Sequence, residues 1–155
     1  MARFSRRSTV SAPLSTVWEF HSTIDGLEAL TPAAADLRIE ALDVPGDGEE
    51  LVAGSAMTLS LRAIPGLPRA RMRTRIVRRE RRPDRALFVD EMQAGPLAQW
   101  RHTHRFEARR NGTELIDEIE FATGYGPLAD TVFRMGLTAA FALRHRKTRE
   151  ILAGE

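Results

Sequence analysis

WRHTHRFEARRNGTELIDEIEF, residues 100–121, is the stretch on which the fold turns. Asn111-Gly112 is a strong hairpin signal, because both residues accept the backbone angles of a tight two-residue turn. Before it, Trp100, His102, His104 and Phe106 alternate with Arg101, Thr103, Arg105 and Glu107. After it, Leu115, Asp117, Ile119 and Phe121 alternate with Glu114, Glu118 and Glu120. Successive strand side chains point to opposite faces, so each strand has one charged row for water and one row for a core. With Asn111-Gly112 as the turn, Phe106 falls opposite Asp117 and His104 becomes its diagonal neighbour, within reach for long side chains. Two histidines and an aspartate therefore project inward.

Outward from this hairpin, the period of two extends back to residue 37. Leu37, Ile39 and Ala41 alternate, as do Met57, Leu59 and Leu61, and Met72, Thr74 and Ile76. Turn chemistry separates these runs: Asp43–Glu50 with Pro45, Gly46 and Gly48, then Ile64-Pro65-Gly66-Leu67-Pro68, Arg82-Pro83-Asp84 and Gly95-Pro96. Leu87–Met92 is the strand before Gly95, and a regular strand turns Glu91 inward, whereas a bulge near Gly95 turns Asp90 inward instead. Ahead of the sheet, Phe4–Val10 reads as a strand. Leu14, Val17, Trp18 and His21 recur at helical spacing, with Pro13 in the first turn and Ser11 as cap. A second short helix spans Ile24–Leu30 and stops before Pro32. After Gly126, Pro127 opens a helix of about 25 residues, roughly 37 Å long. Leu128, Val132, Met135, Ala139 and Leu143 form its apolar stripe, and the basic residues Arg144, Arg146, Lys147 and Arg149 crowd its last turns.

One strand, two short helices, six strands in hairpin succession and one long helix make an α+β fold, with the helix covering the concave face of a twisted antiparallel sheet. At 155 residues the chain fits a single domain, 1–155. Gly136, Ala139, Ala140 and Ala142 make the helix slim, which leaves room for a cavity unless Met57, Trp100, Phe106 and Phe121 fill it.

Composition narrows the function classes. There is no cysteine, which excludes disulfides and thiolate chemistry. No apolar run is long enough to span a membrane, so no stable membrane insertion is expected, and the N-terminus lacks a signal-peptide pattern, so a cytoplasmic location is expected. The net charge is only +2, and Arg69, Arg71, Arg73 and Arg75 share their sheet surface with glutamates. A solvated mixed-charge face follows, and no nucleic-acid partner is expected. No P-loop, nucleophile elbow or dinucleotide fingerprint occurs. Oligomeric state is open, a homodimer included.

The inward polar residues admit three readings: a satisfied structural network, polar anchors for a mostly apolar ligand, or an acid–base pair in which His102 or His104 works with Asp117. No metal and no cofactor are expected, since two histidines two residues apart plus one carboxylate lack a third firm ligand.

The segments STVSAPLSTVWEF, LFVDEMQAGPLAQWRHTHRF and NGTELIDEIEF resemble the SRPBCC superfamily, the START-like or polyketide cyclase/dehydrase-like proteins, and within it the bacterial ligand-binding subgroup. Leu97 stands where that subgroup's GPF motif has its bulky residue. The resemblance implies the helix-grip fold, a seven-stranded antiparallel sheet wrapped around a long C-terminal helix. It also implies a hydrophobic cavity that binds or transports a lipid, polyketide or aromatic molecule, or alternatively a polyketide cyclase/dehydratase activity. The residues expected to line that cavity are Trp100, His102, His104, Phe106, Asp117, Phe121, Glu91, Met57, Leu59, Met135 and Ala139. His102, His104 and Asp117 are the catalytic candidates if the chain is an enzyme.

Overall fold

Seven strands form one antiparallel sheet because each hairpin connection is short and each strand has one apolar row to bury. The computed structural model describes residues 1–46, 51–62 and 66–154. Gly48 of the Asp43–Glu50 turn and Ile64-Pro65 of the following loop lie outside them. In chain order the elements are β1 (Ala2–Val10), α1 (Leu14–His21), α2 (Ile24–Leu30), a short 3-10 turn, β2 (Arg38–Asp43), β3 (Ala56–Leu61), β4 (Ala70–Arg81), β5 (Arg85–Ala94), β6 (Gln99–Arg109), β7 (Gly112–Ala122) and α3 (Pro127–Ala153). The sheet order is β1-β7-β6-β5-β4-β3-β2, so β1 pairs with β7 and every other neighbour is a sequence neighbour. This is the helix-grip fold.

Local chemistry sets the helices. Pro13, not Ser11, is the N-cap of α1; its carbonyl receives the Val17 N–H at 3.1 Å. Thr23 caps α2, its hydroxyl accepting the Gly26 N–H at 3.1 Å. A Cβ on Gly26 would lie 1.8 Å from the Phe20 carbonyl oxygen, so only glycine lets α2 pack this hard on the end of α1.

The decisive hairpin turns one residue earlier than expected. Arg109 pairs with Gly112, which leaves Arg110-Asn111 as the turn and sets His104 opposite Asp117 and Phe106 opposite Leu115. Gly112 is needed for a different reason: a Cβ there would lie 2.1 Å from the Val10 carbonyl of the adjoining β1. The pairing shifts by two residues, so every side chain keeps its expected face.

α3 buries a different face from the expected one. It is 27 residues long, about 40 Å, with Gly126 as N-cap and Pro127 first, and it continues past Arg149 to Ala153, so the basic residues do not occupy the last turn. The Asp130 carboxylate accepts the Thr123 N–H at 2.9 Å and hydroxyl at 2.6 Å, fastening the helix start to the end of β7. The buried stripe is Leu137, Phe141, His145 and Thr148, continued by half-buried Phe133. Leu128, Val132 and Met135 are 79%, 61% and 68% exposed, and Ala139 is exposed too. Both faces of the first half of this helix are apolar, so the helical period fits two stripes. The aromatic stripe wins because its rings bury more area: Phe141 meets Phe4 at 5.5 Å and Phe133 meets Phe121 at 5.1 Å between centroids. Gly136, Ala139 and Ala140 face solvent, so slim inner residues on α3 are not what leaves space inside.

On the outer face, Arg71 pairs with Glu40 at 2.8 Å, Arg105 with Glu118 at 3.6 Å and Arg3 with Glu120 at 3.5 Å. The face is mixed in charge, as its rows predict.

Candidate ligand-binding cavity

The inward rows of β5 and β6 are fixed by their pairing. Phe88 lies opposite His104 and Asp90 opposite His102, and directly opposed residues share a face. Two bulges interrupt the pairing of β5 with β4 on its other side. Gln93, two residues before Gly95, has no partner between the pairs Arg73–Ala94 and Thr74–Met92, and Val77 has none between Ile76–Asp90 and Arg78–Val89. A bulge near Gly95 is present in the pairing with β4, and Asp90 is the inward carboxylate by its pairing with His102. Glu91 lies opposite Arg101 on the outer face and its carboxylate accepts from that guanidinium, so it does not line the cavity.

A cavity of about 250 Å³ opens between α2, the inner face of β3–β6 and the middle of α3. One end is apolar: Leu30, Met57, Leu59, Met72 and Ile76. The other is polar: Asp90, His102, His104, His21 and Arg144, with the Trp100 and Phe141 rings against His102. Of the residues expected to line it, Trp100, His102, His104, Met57 and Leu59 do so. Phe106 and Asp117 sit behind the polar wall, against a second small void, and Phe121 is fully buried under α3. Met135 and Ala139 face away because α3 presents its other stripe.

The polar wall is a connected network. Asp117 is central: its Oδ1 accepts from His102 Nε2 at 2.6 Å and its Oδ2 from His145 Nε2 at 2.5 Å. His145 Nδ1 in turn accepts the Ser8 hydroxyl at 2.5 Å. His104 Nε2 donates to Asp90 Oδ2 at 2.7 Å, and its Nδ1 lies 3.5 Å from Asp117 Oδ1. The tautomers follow from the partners, since a carboxylate can only accept. The His102 and His104 rings stack at 3.5 Å between centroids, and Phe88 stacks on the far side of His104 at 3.9 Å. The chain has only 4 histidines, and all of them converge here from α1, β6 and α3.

Burial raises the Asp117 carboxyl, but the hydrogen bonds from His102 and His145 and the nearby histidine charges outweigh it and hold the group well below its usual range. The same contest at Asp90 ends below the ordinary value, through His104, His102 and a hydrogen bond from Trp100. Burial, reinforced by His102, lowers His104 to about 4, against the pull of Asp90. Burial and then the Arg144 charge lower His21 to about 3, although its Nδ1–H donates to the Val17 carbonyl at 2.8 Å. At neutral pH the wall thus presents two carboxylates, neutral His21 and His104, and the Arg144 guanidinium. Burial disfavours that guanidinium's charge while Asp117 and Asp90 favour it.

His145, His21 and Arg144 were missed by sequence reasoning, and Asp90 was left open. The signal for His145 was its place in the series Phe133, Leu137, Phe141, His145, four residues apart. The signal for Asp90 was its register opposite the inward His102.

The sequence profile of the family described as "Polyketide cyclase / dehydrase and lipid transport" matches residues 1–153. No curated protein is significantly similar in sequence. Among solved structures, a Mycobacterium smegmatis protein is similar with a TM-score of 0.69 at 14% identity, over 99% of this chain and 91% of that one. The structure of Ara h 8.0201 gives 0.65 at 15%, over 99% of each chain. Norcoclaurine synthase from Thalictrum flavum, solved with dopamine and hydroxybenzaldehyde, gives 0.66 at 14%, over 99% and 87%. Similarity at these identities speaks to the fold alone.

Proposed function

Because this chain belongs to the polyketide cyclase/dehydrase and lipid transport family, we propose that it binds a small hydrophobic molecule in the cavity, with the ring or chain against Met57, Leu59 and Ile76 and an oxygen toward the polar wall. The observation that carries this reading is the two-ended lining: one apolar end and one end with Asp90, His102, His104 and Arg144. A site with a mostly apolar lining and a few convergent polar groups suits a ligand of that make-up. At about 30 Å³ per water, 250 Å³ holds about eight waters, which favours a molecule of one or two rings over a large polycycle. Norcoclaurine synthase was solved with two single-ring aromatics, a precedent on the same fold for ligands of this size.

The test is displacement of an apolar fluorescent dye by single-ring and two-ring phenols and ketones. Saturable binding is expected, and Met57→Trp, which fills the apolar end, should abolish it while the folded spectrum is kept. Binding that survives Met57→Trp contradicts the reading.

One observation favours a second reading, acid–base chemistry: His102 Nδ1 has no hydrogen-bond partner among the described residues, and Asp117 backs the other nitrogen of the ring. Against His104 as base stands its value of about 4, far from the neutral range that suits a base. His102→Gln separates the two readings on a ligand found by displacement. A pocket-lining role costs affinity within about tenfold, the worth of one hydrogen bond. Proton transfer costs turnover about 10²–10⁴-fold.

A further inference from the structure

The geometry points to a divalent transition-metal site formed by Asp90 Oδ2, His102 Nδ1 and His104 Nε2, with its remaining coordination positions open to the cavity. From the sequence, the pair of histidines lacked a third ligand. The regular register of β5 against β6 supplies it: Asp90 lies opposite His102 and so shares its inward face.

One ligand atom from each of the three residues lies within 4.8 Å of the others. His104 Nε2 is 2.7 Å from Asp90 Oδ2, and His102 Nδ1 is 4.0 Å from the same oxygen. A metal holding nitrogen and oxygen ligands at about 2.0–2.2 Å keeps those atoms about 3–4 Å apart, so the cluster needs to move by less than about 1 Å. His102 presents the right nitrogen: its Nε2 is bonded to Asp117, and its Nδ1, with no hydrogen-bond partner among the described residues, lies in a side chain only 6% exposed. At His104 the metal takes the place of the Nε2 proton. That proton moves to Nδ1, which faces Asp117 Oδ1 at 3.5 Å. Both ligand histidines then donate their outer N–H to one carboxylate, the arrangement that orients ligating imidazoles and raises their basicity. His145 and Ser8 fix the other oxygen of that carboxylate. The metal gives Asp117 a task that its position otherwise leaves unexplained: it is gripped by three histidines yet lies behind the cavity wall.

Two imidazoles and one carboxylate, with no thiolate in the chain, suit zinc, iron(II) or cobalt(II) rather than magnesium or calcium. An oxygen of the cavity ligand would complete the coordination.

The test uses the full chain after chelator treatment, with metal ions alone, so its outcome is independent of the organic ligand. Zn²⁺ is titrated by calorimetry, and Co²⁺ by its visible absorption. One saturating equivalent is expected, with bands of nitrogen ligation and no competition from excess Mg²⁺. Affinity should fall at least about tenfold in Asp90→Asn and His102→Gln, and about 10- to 100-fold in Asp117→Asn, which removes the shared acceptor without touching the metal. The proposal is overturned by no saturable equivalent, by unchanged affinity in a folded His102→Gln/His104→Gln variant, or by an oxygen-only spectrum. Where a variant does not fold, X-ray absorption of the cobalt-loaded wild-type chain decides: histidine scattering supports the site and its absence overturns it.

Discussion

The two ends of the cavity are built on opposite principles. The apolar end, from α2, β3 and β4, is held by burial alone: Leu30, Met57, Leu59 and Ile76 are each under 9% exposed and make no directional demands. The polar end, from β5, β6, β7 and α3, is held by directed bonds that run from Ser8 through His145 and Asp117 to His102. Apolar contacts tolerate changes of shape that preserve volume, whereas a buried polar network is stable only when every member is satisfied. The contrast suggests a division of labour in which the apolar end sets the size of a ligand and the polar end sets its orientation.

The largest break in that contrast comes from Asp117→Ala. It leaves the His102 and His145 N–H groups buried without an acceptor and should cost about 3–5 kcal/mol by urea denaturation at neutral pH. Leu59→Ala, at the other end, should cost about 2 kcal/mol, the low end for a buried leucine, because the existing cavity already lacks packing on one side. The same variant should shift dye displacement toward larger ligands.

Acid separates the ends next. His104 and His21 have folded values of about 4 and about 3 against an ordinary 6.5, so the unfolded chain binds more protons between those limits. Their contribution is fully present above pH 6.5 and is lost as pH falls through the folded values. The depressed carboxyls of Asp117 and Asp90 have the same sign at lower pH: their contribution is present above the unfolded value and is lost as pH falls. Chelator-treated protein should therefore lose stability steadily from pH 6.5 to 4, and His21→Gln/His104→Gln should flatten that limb. The smallest effect belongs to Glu91→Gln, which breaks a half-exposed pair with Arg101 on the outer face. It should cost under about 1 kcal/mol and leave ligand displacement unchanged.

The sequence made one of these ends far more legible than the other. Alternation in β6 and β7 gave the inward row Trp100, His102, His104, Phe106 and Asp117, and a two-residue error in pairing could not disturb it. Asp90 was undecidable because its face depends on the register of β5 against β6, which the alternation within β5 does not fix. His145 was hidden for another reason: α3 carries two apolar stripes, and only the area available from Phe133 and Phe141 against the sheet chooses between them. Met135 and Ala139 were assigned inward by the same ambiguity. The apolar end was legible at Met57 and Leu59, while the part that α2 plays through Leu27 and Leu30 depends on how it packs on α1, which no local pattern encodes.

The central claim is that the two-ended cavity holds a small hydrophobic molecule. Native mass spectrometry of the gently purified chain tests it most directly. One low-mass apolar adduct per chain is expected in the wild-type protein and none in Met57→Trp. A bare mass in repeated wild-type preparations, or the same adduct in Met57→Trp, would contradict it.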